Sequence, residues 1–219
     1  MKKPFVIFLS IIVVVLCLSC DFLKKDDPTA VLSGDQSPMG SVGVTVSSSS
    51  SEIAGVSDCI ASVTSLGNGV SSYSGSATVK NTLLKNLVAN IPGITVVGDK
   101  VTATNMEFKL TTDGFECMSG PGAGVIVKYD SSVGDTYPIG STGNVRTVVG
   151  KTGVDDYPYG FMLIKVVKVE EIPSYLKSTS AGVTKVTYIA NHKYGLVGVQ
   201  VALDDGTAAE FPIYTSKEN

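Results

Sequence analysis

The sequence predicts an α+β protein, with two N-terminal helices packed on an antiparallel β-rich domain that ends in a meander or small barrel. Three observations lead there. Apolar residues recur at three- and four-residue steps between positions 52 and 91, the spacing of one helical face. From Ile94 onward the period drops to two, as on a half-buried strand. Turn signals such as Gly98-Asp99-Lys100, Asp113-Gly114 and Asp204-Asp205-Gly206 then punctuate short strand-like runs. Helices first and strands afterwards is the order of an α+β fold.

The first helix is expected over 52–66, where Ile53, Val56, Ile60 and Val63 share a face and Ser50 or Ser51 is available as N-cap. Gly67-Asn68-Gly69 ends it. Val79, Leu83, Leu84, Leu87, Val88 and Ile91 form a broader apolar series that predicts a second helix, stopped by Pro92-Gly93.

Ile94–Val97 and Val101–Thr104 read as a hairpin, and Met106, Phe108 and Leu110 alternate with polar neighbours. Phe115 to Met118 continue as a strand. Gly120-Pro121-Gly122-Ala123-Gly124 lacks the lysine and Ser/Thr of a phosphate loop and opens a strand instead of a helix. Further strands are predicted at Val125–Tyr129, Val145–Val149, Phe161–Val169, Val183–Ala190, Gly195–Leu203 and Thr207–Tyr214, with one short helical turn at Glu171–Leu176. The chain thus divides into a helix-helix-hairpin subdomain, 52–119, and an antiparallel β subdomain, 120–219, meeting at the glycine-rich stretch. Residues 20–51, rich in Asp, Lys, Pro, Gly and Ser, read as a flexible tether.

Composition narrows the function classes. Residues 20–219 carry fifteen basic and twenty acidic side chains, a net charge of about −5, and Arg146 is their single arginine. Nucleic-acid binders show a basic stripe with arginines and aromatics, so no nucleic acid is expected as a partner. The single histidine, His192, lies between two predicted strands. It has no nucleophile elbow to serve, and one histidine cannot make a zinc site. Asp155-Asp156, Glu170-Glu171 and Asp204-Asp205 are adjacent pairs; neighbours on a strand face opposite ways, and solvated turns are their expected place. No enzyme activity, cofactor or metal is expected. The best candidate for a binding site is the aromatic loop holding Tyr157, Tyr159 and Phe161, because such rings make contact anchors at low entropic cost; buried packing of the same rings is an equal alternative.

The N-terminus gives the address. Lys2 and Lys3 precede an apolar run from Phe5 to Leu18, broken by Ser10, and then Ser19-Cys20. The run is too short to span a bilayer and has the form of a secretory signal over 1–19. Leu16-Cys17-Leu18-Ser19-Cys20 resembles the lipobox of bacterial lipoproteins, in the relaxed form of spirochaetes and some Bacteroidota. The resemblance implies that Cys20 is lipidated, and two or more acyl chains hold a protein firmly in a membrane. Asp21 resembles an inner-membrane retention signal, whereas Lys25-Asp26-Asp27 resembles a surface-export signal. With Cys17 removed and Cys20 acylated, Cys59 and Cys117 remain, and in an oxidising envelope they are expected to form a disulfide. The export class implies a surface-exposed outer-membrane lipoprotein, a non-enzymatic binder or adhesin for extracellular or host proteins; matrix components, plasminogen or complement regulators would fit a pathogen. The alternative is a periplasm-facing envelope lipoprotein with a structural or assembly role.

Overall fold

A computed structural model describes residues 32–48, 56–80, 93–120, 122–140, 143–172, 183–203 and 208–219, with a few isolated positions between them. The signal, Cys20, the series Leu83 to Ile91, the expected turn after Ile172 and the Asp204-Asp205 pair lie outside the described residues.

The fold is a β-barrel, which corrects the expected α+β class: strands make up 64% of the described residues and helix 3%. The described strands are β1 (Thr45–Ser48), β2 (Val56–Gly67), β3 (Val70–Val79), β4 (Ile94–Val97), β5 (Lys100–Thr111), β6 (Gly114–Cys117), β7 (Gly124–Lys128), β8 (Thr136–Ile139), β9 (Asn144–Lys151), β10 (Tyr157–Tyr159), β11 (Met162–Ile164), β12 (Val167–Glu171), β13 (Val183–Asn191), β14 (Gly195–Leu203) and β15 (Ala208–Thr215). One sheet runs β7-β6-β5-β3-β2-β1-β15-β14-β13-β12-β9-β8, with β4 paired to the remaining flank of β5 and a separate hairpin β10-β11. The twelve strands of that path form a nearly closed ring. The gap lies between β7 and β8, where Gly140 N–H donates to the Ala123 carbonyl at 2.8 Å.

The two expected subdomains are therefore one barrel, because the strands of both halves belong to a single sheet. β1 joins them. It pairs with β2 on one side and with β15 on the other, so the N-terminal segment bridges the chain's beginning and end. This corrects the expected tether too, whose residues 32–48 belong to the fold. Leu32 is 1% exposed, its carbonyl accepts from Lys109 Nζ at 2.6 Å, and Ser37 N–H donates to the Leu110 carbonyl at 3.0 Å. A 3₁₀ turn at Pro38–Gly40 is capped by Ser37, whose hydroxyl accepts from Met39 N–H.

The expected helix over 52–66 is, from Val56 on, strand β2. Its three- and four-residue spacing has a different cause. A strand alternates faces every residue, so Val56 and Val63, seven apart, would point opposite ways. Both are buried. The ladder to β3 slips between Ser57 and Ile60, where Asp58 takes φ 56°, and slips again between Val63 and Ser65. Such bulges add a residue and reset the phase, which imitates a helical period.

β6 and β7 contact β12, β13 and β14 across the interior, which flattens that half into a two-layer core holding Phe115, Val127, Val169, Val186, Tyr188 and Val199. Each such side chain contributes roughly 1.5–3 kcal/mol on burial. Arg146 and Glu171 lie in the same region with fully buried side chains. Glu171 is thus no solvated turn residue, while its neighbour Glu170 on the opposite face pairs with Lys185 at 2.7 Å.

No disulfide joins Cys59 and Cys117, contrary to expectation. Cys59 is on β2 and Cys117 on β6, separated by β3 and β5. Cys117 pairs with Phe108 of β5, whereas the residues flanking Cys59 register, through Ser76 and Thr78, with Thr102 and Lys100 of that strand. Six residues of strand are about 20 Å, and a disulfide needs Cα atoms within about 7 Å.

Candidate binding cavity and aromatic hairpin

The barrel is hollow on the side away from the flattened half. One open cavity, about 750 Å³ including the solvent-filled space at its mouth, is bounded by Tyr73, Met106, Phe108, Phe115, Tyr129 and Leu196. A second, about 620 Å³, is bounded by Cys59, Ala77, Ile94, Val101 and Phe211. They share Val46, Ala61, Gly75, Ala103 and Ile213. Both are lined mainly by apolar side chains, as binding cavities for small molecules are.

Small residues explain the space. Ala61, Gly75 and Ala103 sit on adjacent strands β2, β3 and β5, in mutual register, where larger side chains would meet in the middle. Gly75 is required by the bulge of β2: a Cβ there would stand 2.6 Å from the Ile60 carbonyl oxygen, closer than atoms tolerate. Phe108 packs edge-on to Tyr73 at 5.5 Å and stacks on Phe115 at 5.1 Å, which fixes the wall on the far side.

Two phenols face this apolar space. Tyr73 donates its hydroxyl to the Met39 carbonyl at 3.3 Å. Tyr129 comes from the end of β7 and has no hydrogen-bond acceptor for its hydroxyl among the described residues. Burial pushes both phenols well above the usual tyrosine range, so both remain neutral donors. Tyr129 is partly buried, and a ligand's polar end at that place would give its hydroxyl an acceptor.

The aromatic loop forms the hairpin β10-β11, which packs on the outside of β13, β14 and β15, and its three rings separate. Tyr157 donates to Glu210 Oε1 at 2.6 Å. Tyr159 is buried against Tyr194 and Tyr214, ring centroids 5.0 and 5.3 Å away. Phe161 alone is wholly exposed, at 111% of its reference area. Gly160, with φ 58°, begins the two-residue turn that projects it. Packing accounts for Tyr157 and Tyr159, and contact remains for Phe161.

His192 lies exposed in the β13–β14 turn and Asp155 and Asp156 are exposed in the loop before β10. No cluster of three His, Cys, Asp or Glu side chains that could hold a metal occurs among the described residues. Sequence reasoning missed the cavity. Its only signal is the run of small and polar residues in β3, Ser71 to Thr78, alternating with Tyr73 and Ala77 on the inner face. No protein-family model matches the chain, and no curated protein and no solved structure matches it either.

Proposed function

We propose that the chain is a lipid-anchored, non-enzymatic binding protein of the bacterial envelope whose ligand is an elongated apolar molecule with one polar end. The observation that carries this reading is the hollow, apolar half of the barrel with the Tyr129 hydroxyl facing it. An acyl chain would lie along the wall formed by Ala61, Gly75 and Ala103, and its carboxyl or hydroxyl end would accept from Tyr129. Lipidation at Cys20 and outward display on the outer membrane rest on the resemblance of residues 16–20 to a lipobox.

Titration of the purified full chain with a fluorescent long-chain fatty acid tests the cavity. The wild type is expected to bind saturably at about one per chain. Ala103→Leu fills the shared wall and is expected to lower affinity tenfold or more, and Tyr129→Phe by about tenfold for a carboxylated chain. Unsaturable uptake, or equal affinity in Ala103→Leu, would sink the reading. Mass spectrometry of the N-terminal peptide tests Cys20, and protease added to intact cells tests display.

A further inference from the structure

The barrel has two ends. At one end lie the loops and turns around Asp113, Asn68-Gly69, 129–135, 152–156 and 192–194. The hairpin tip is here too, because Tyr159 packs on Tyr194 of one of these turns and on Tyr214 near the end of β15. The β4-β5 turn at Gly98-Asp99 marks the opposite end.

Among the exposed large apolar side chains, Val42, Leu66, Val133, Val154 and the hairpin residues Phe161, Met162 and Leu163 lie at the first end, while Val97, Met118, Val145 and Ile172 lie at or towards the other. None is needed for the core. Single exposed apolar residues are ordinary, but Phe161, Met162 and Leu163 are consecutive at the hairpin tip, and an apolar cluster of that kind marks an interaction surface. The described chain enters at this same end: Ser33 Oγ donates to Asp113 Oδ2 at 2.9 Å, and Gln36 bridges to Thr111. Eleven residues, 21–31, separate Leu32 from Cys20. Fully extended they reach about 40 Å, which is enough for this end of the barrel to meet the bilayer that would hold Cys20. The larger cavity also reaches this end through Met39, Tyr194, Gly195 and Thr215.

We infer that this end of the barrel rests on the bilayer that holds Cys20, with Phe161 at the hairpin tip inserted among the acyl chains and the larger cavity facing the lipid from which its ligand is drawn. The inference rests on the lipid-anchored reading above. The hairpin suits insertion: its exposed side chains are apolar, and its two strands pair with each other from Tyr157 to Ile164, which leaves fewer backbone groups to be stripped of water than an open loop would. Acidic and basic side chains mix around the rim, with Asp130, Asp135, Asp155, Asp156 and Glu218 beside Lys151, Lys165, Lys193 and Lys217. Burial of apolar surface, rather than attraction to anionic lipid, therefore supplies the contact.

The chain contains no tryptophan, which permits a direct test. Phe161→Trp places a single indole at the tip, and Val97→Trp places one at the opposite end, where Val97 is 71% exposed. Each lipidated full chain is reconstituted in phosphatidylcholine vesicles containing brominated acyl chains, with flotation as the readout of anchoring. Both variants should float, and only Phe161→Trp should shift to the blue and lose at least half of its emission to bromine. Flotation of both with Phe161→Trp unquenched, or with both quenched alike, would overturn the contact and leave anchoring intact. Failure of both to float would overturn both readings. In a third arm, Phe161→Ser should float like the wild type but take up fatty acid from vesicles several-fold more slowly; an unchanged rate would remove the proposed link between tip and cavity.

Discussion

Arg146 Nε stands 2.8 Å from Glu171 Oε2, with both side chains 0% exposed. The guanidinium also donates from Nη2 to the Gly122 carbonyl at 2.6 Å and from Nη1 to the Val125 carbonyl at 3.0 Å. Tyr188 donates to the same carboxylate oxygen at 3.1 Å. The arginine thus ties β9 to β12 and reaches past β8 to β7, over the one gap in the ring.

Removing that cation leaves Glu171 buried without its charge partner. Arg146→Met is expected to lose about 3–5 kcal/mol, the range for breaking a buried pair from one side. Arg146→Met combined with Glu171→Leu should recover a substantial part. Urea unfolding followed by circular dichroism measures both, and equal losses in the single and double variants would show that the pair is not the unit.

The hairpin is held by Tyr159. Cutting it to alanine removes a ring buried against Tyr194 and Tyr214, a loss of about 3 kcal/mol, or roughly a hundredfold in the local opening constant. Amide exchange over 157–164 should accelerate by that factor in Tyr159→Ala, while β13 and β14 exchange as before. Uniform acceleration across the barrel would contradict a locally docked hairpin.

Glu116 on β6 gives a pH dependence. Burial pushes its carboxyl above the ordinary value of 4.5, against the pull of the Leu32 backbone, Lys109 and Lys128. The folded state holds this proton more tightly than the unfolded chain, so the contribution to stability declines as pH rises from about the unfolded value through the folded one. Glu116→Gln removes the decline. Its Tm should match the wild type near pH 4 and exceed it at pH 8; a lower Tm at pH 8 would mean that the carboxylate is favoured in the fold.

Peptide mapping without reduction should recover Cys59 and Cys117 on separate peptides. In the native protein a maleimide should reach half-buried Cys59 first, and Cys117, 1% exposed, only on unfolding. A cross-linked peptide would refute the strand order between β2 and β6.

Much of the barrel was legible where strands obey simple alternation. Ile94–Val97, Met106 to Leu110, Val183–Ala190 and Gly195–Leu203 lie within strands as their period of two predicts. β2 was not, because its bulges turn a two-residue period into a helical one. β3 was not, because the residues that keep the interior hollow, Ser71, Gly75 and Ala77 among them, resemble a polar linker more than a core strand. Phe161–Val169 reads as one strand but is two, since β11 ends the hairpin before β12 joins the barrel. The candidate site followed the same logic: aromatic rings announce themselves in a sequence, whereas a cavity is written in small residues that no motif distinguishes. Tyr157 and Tyr159 were visible, but whether each ring faced inward or outward depended on the outer face of β14 and β15, far along the chain.

The gap between β7 and β8 has a further consequence. A ring with a gap has two strand edges, and unpaired edges are templates on which another chain can add a strand. Such edges are hazardous wherever copies of a protein meet. Here the edges face each other and a single arginine clasps them from inside, so the barrel conceals its own sticky margins without a complete ladder. Loss of that clasp should first be seen as assembly of the protein with itself, before it is seen as unfolding.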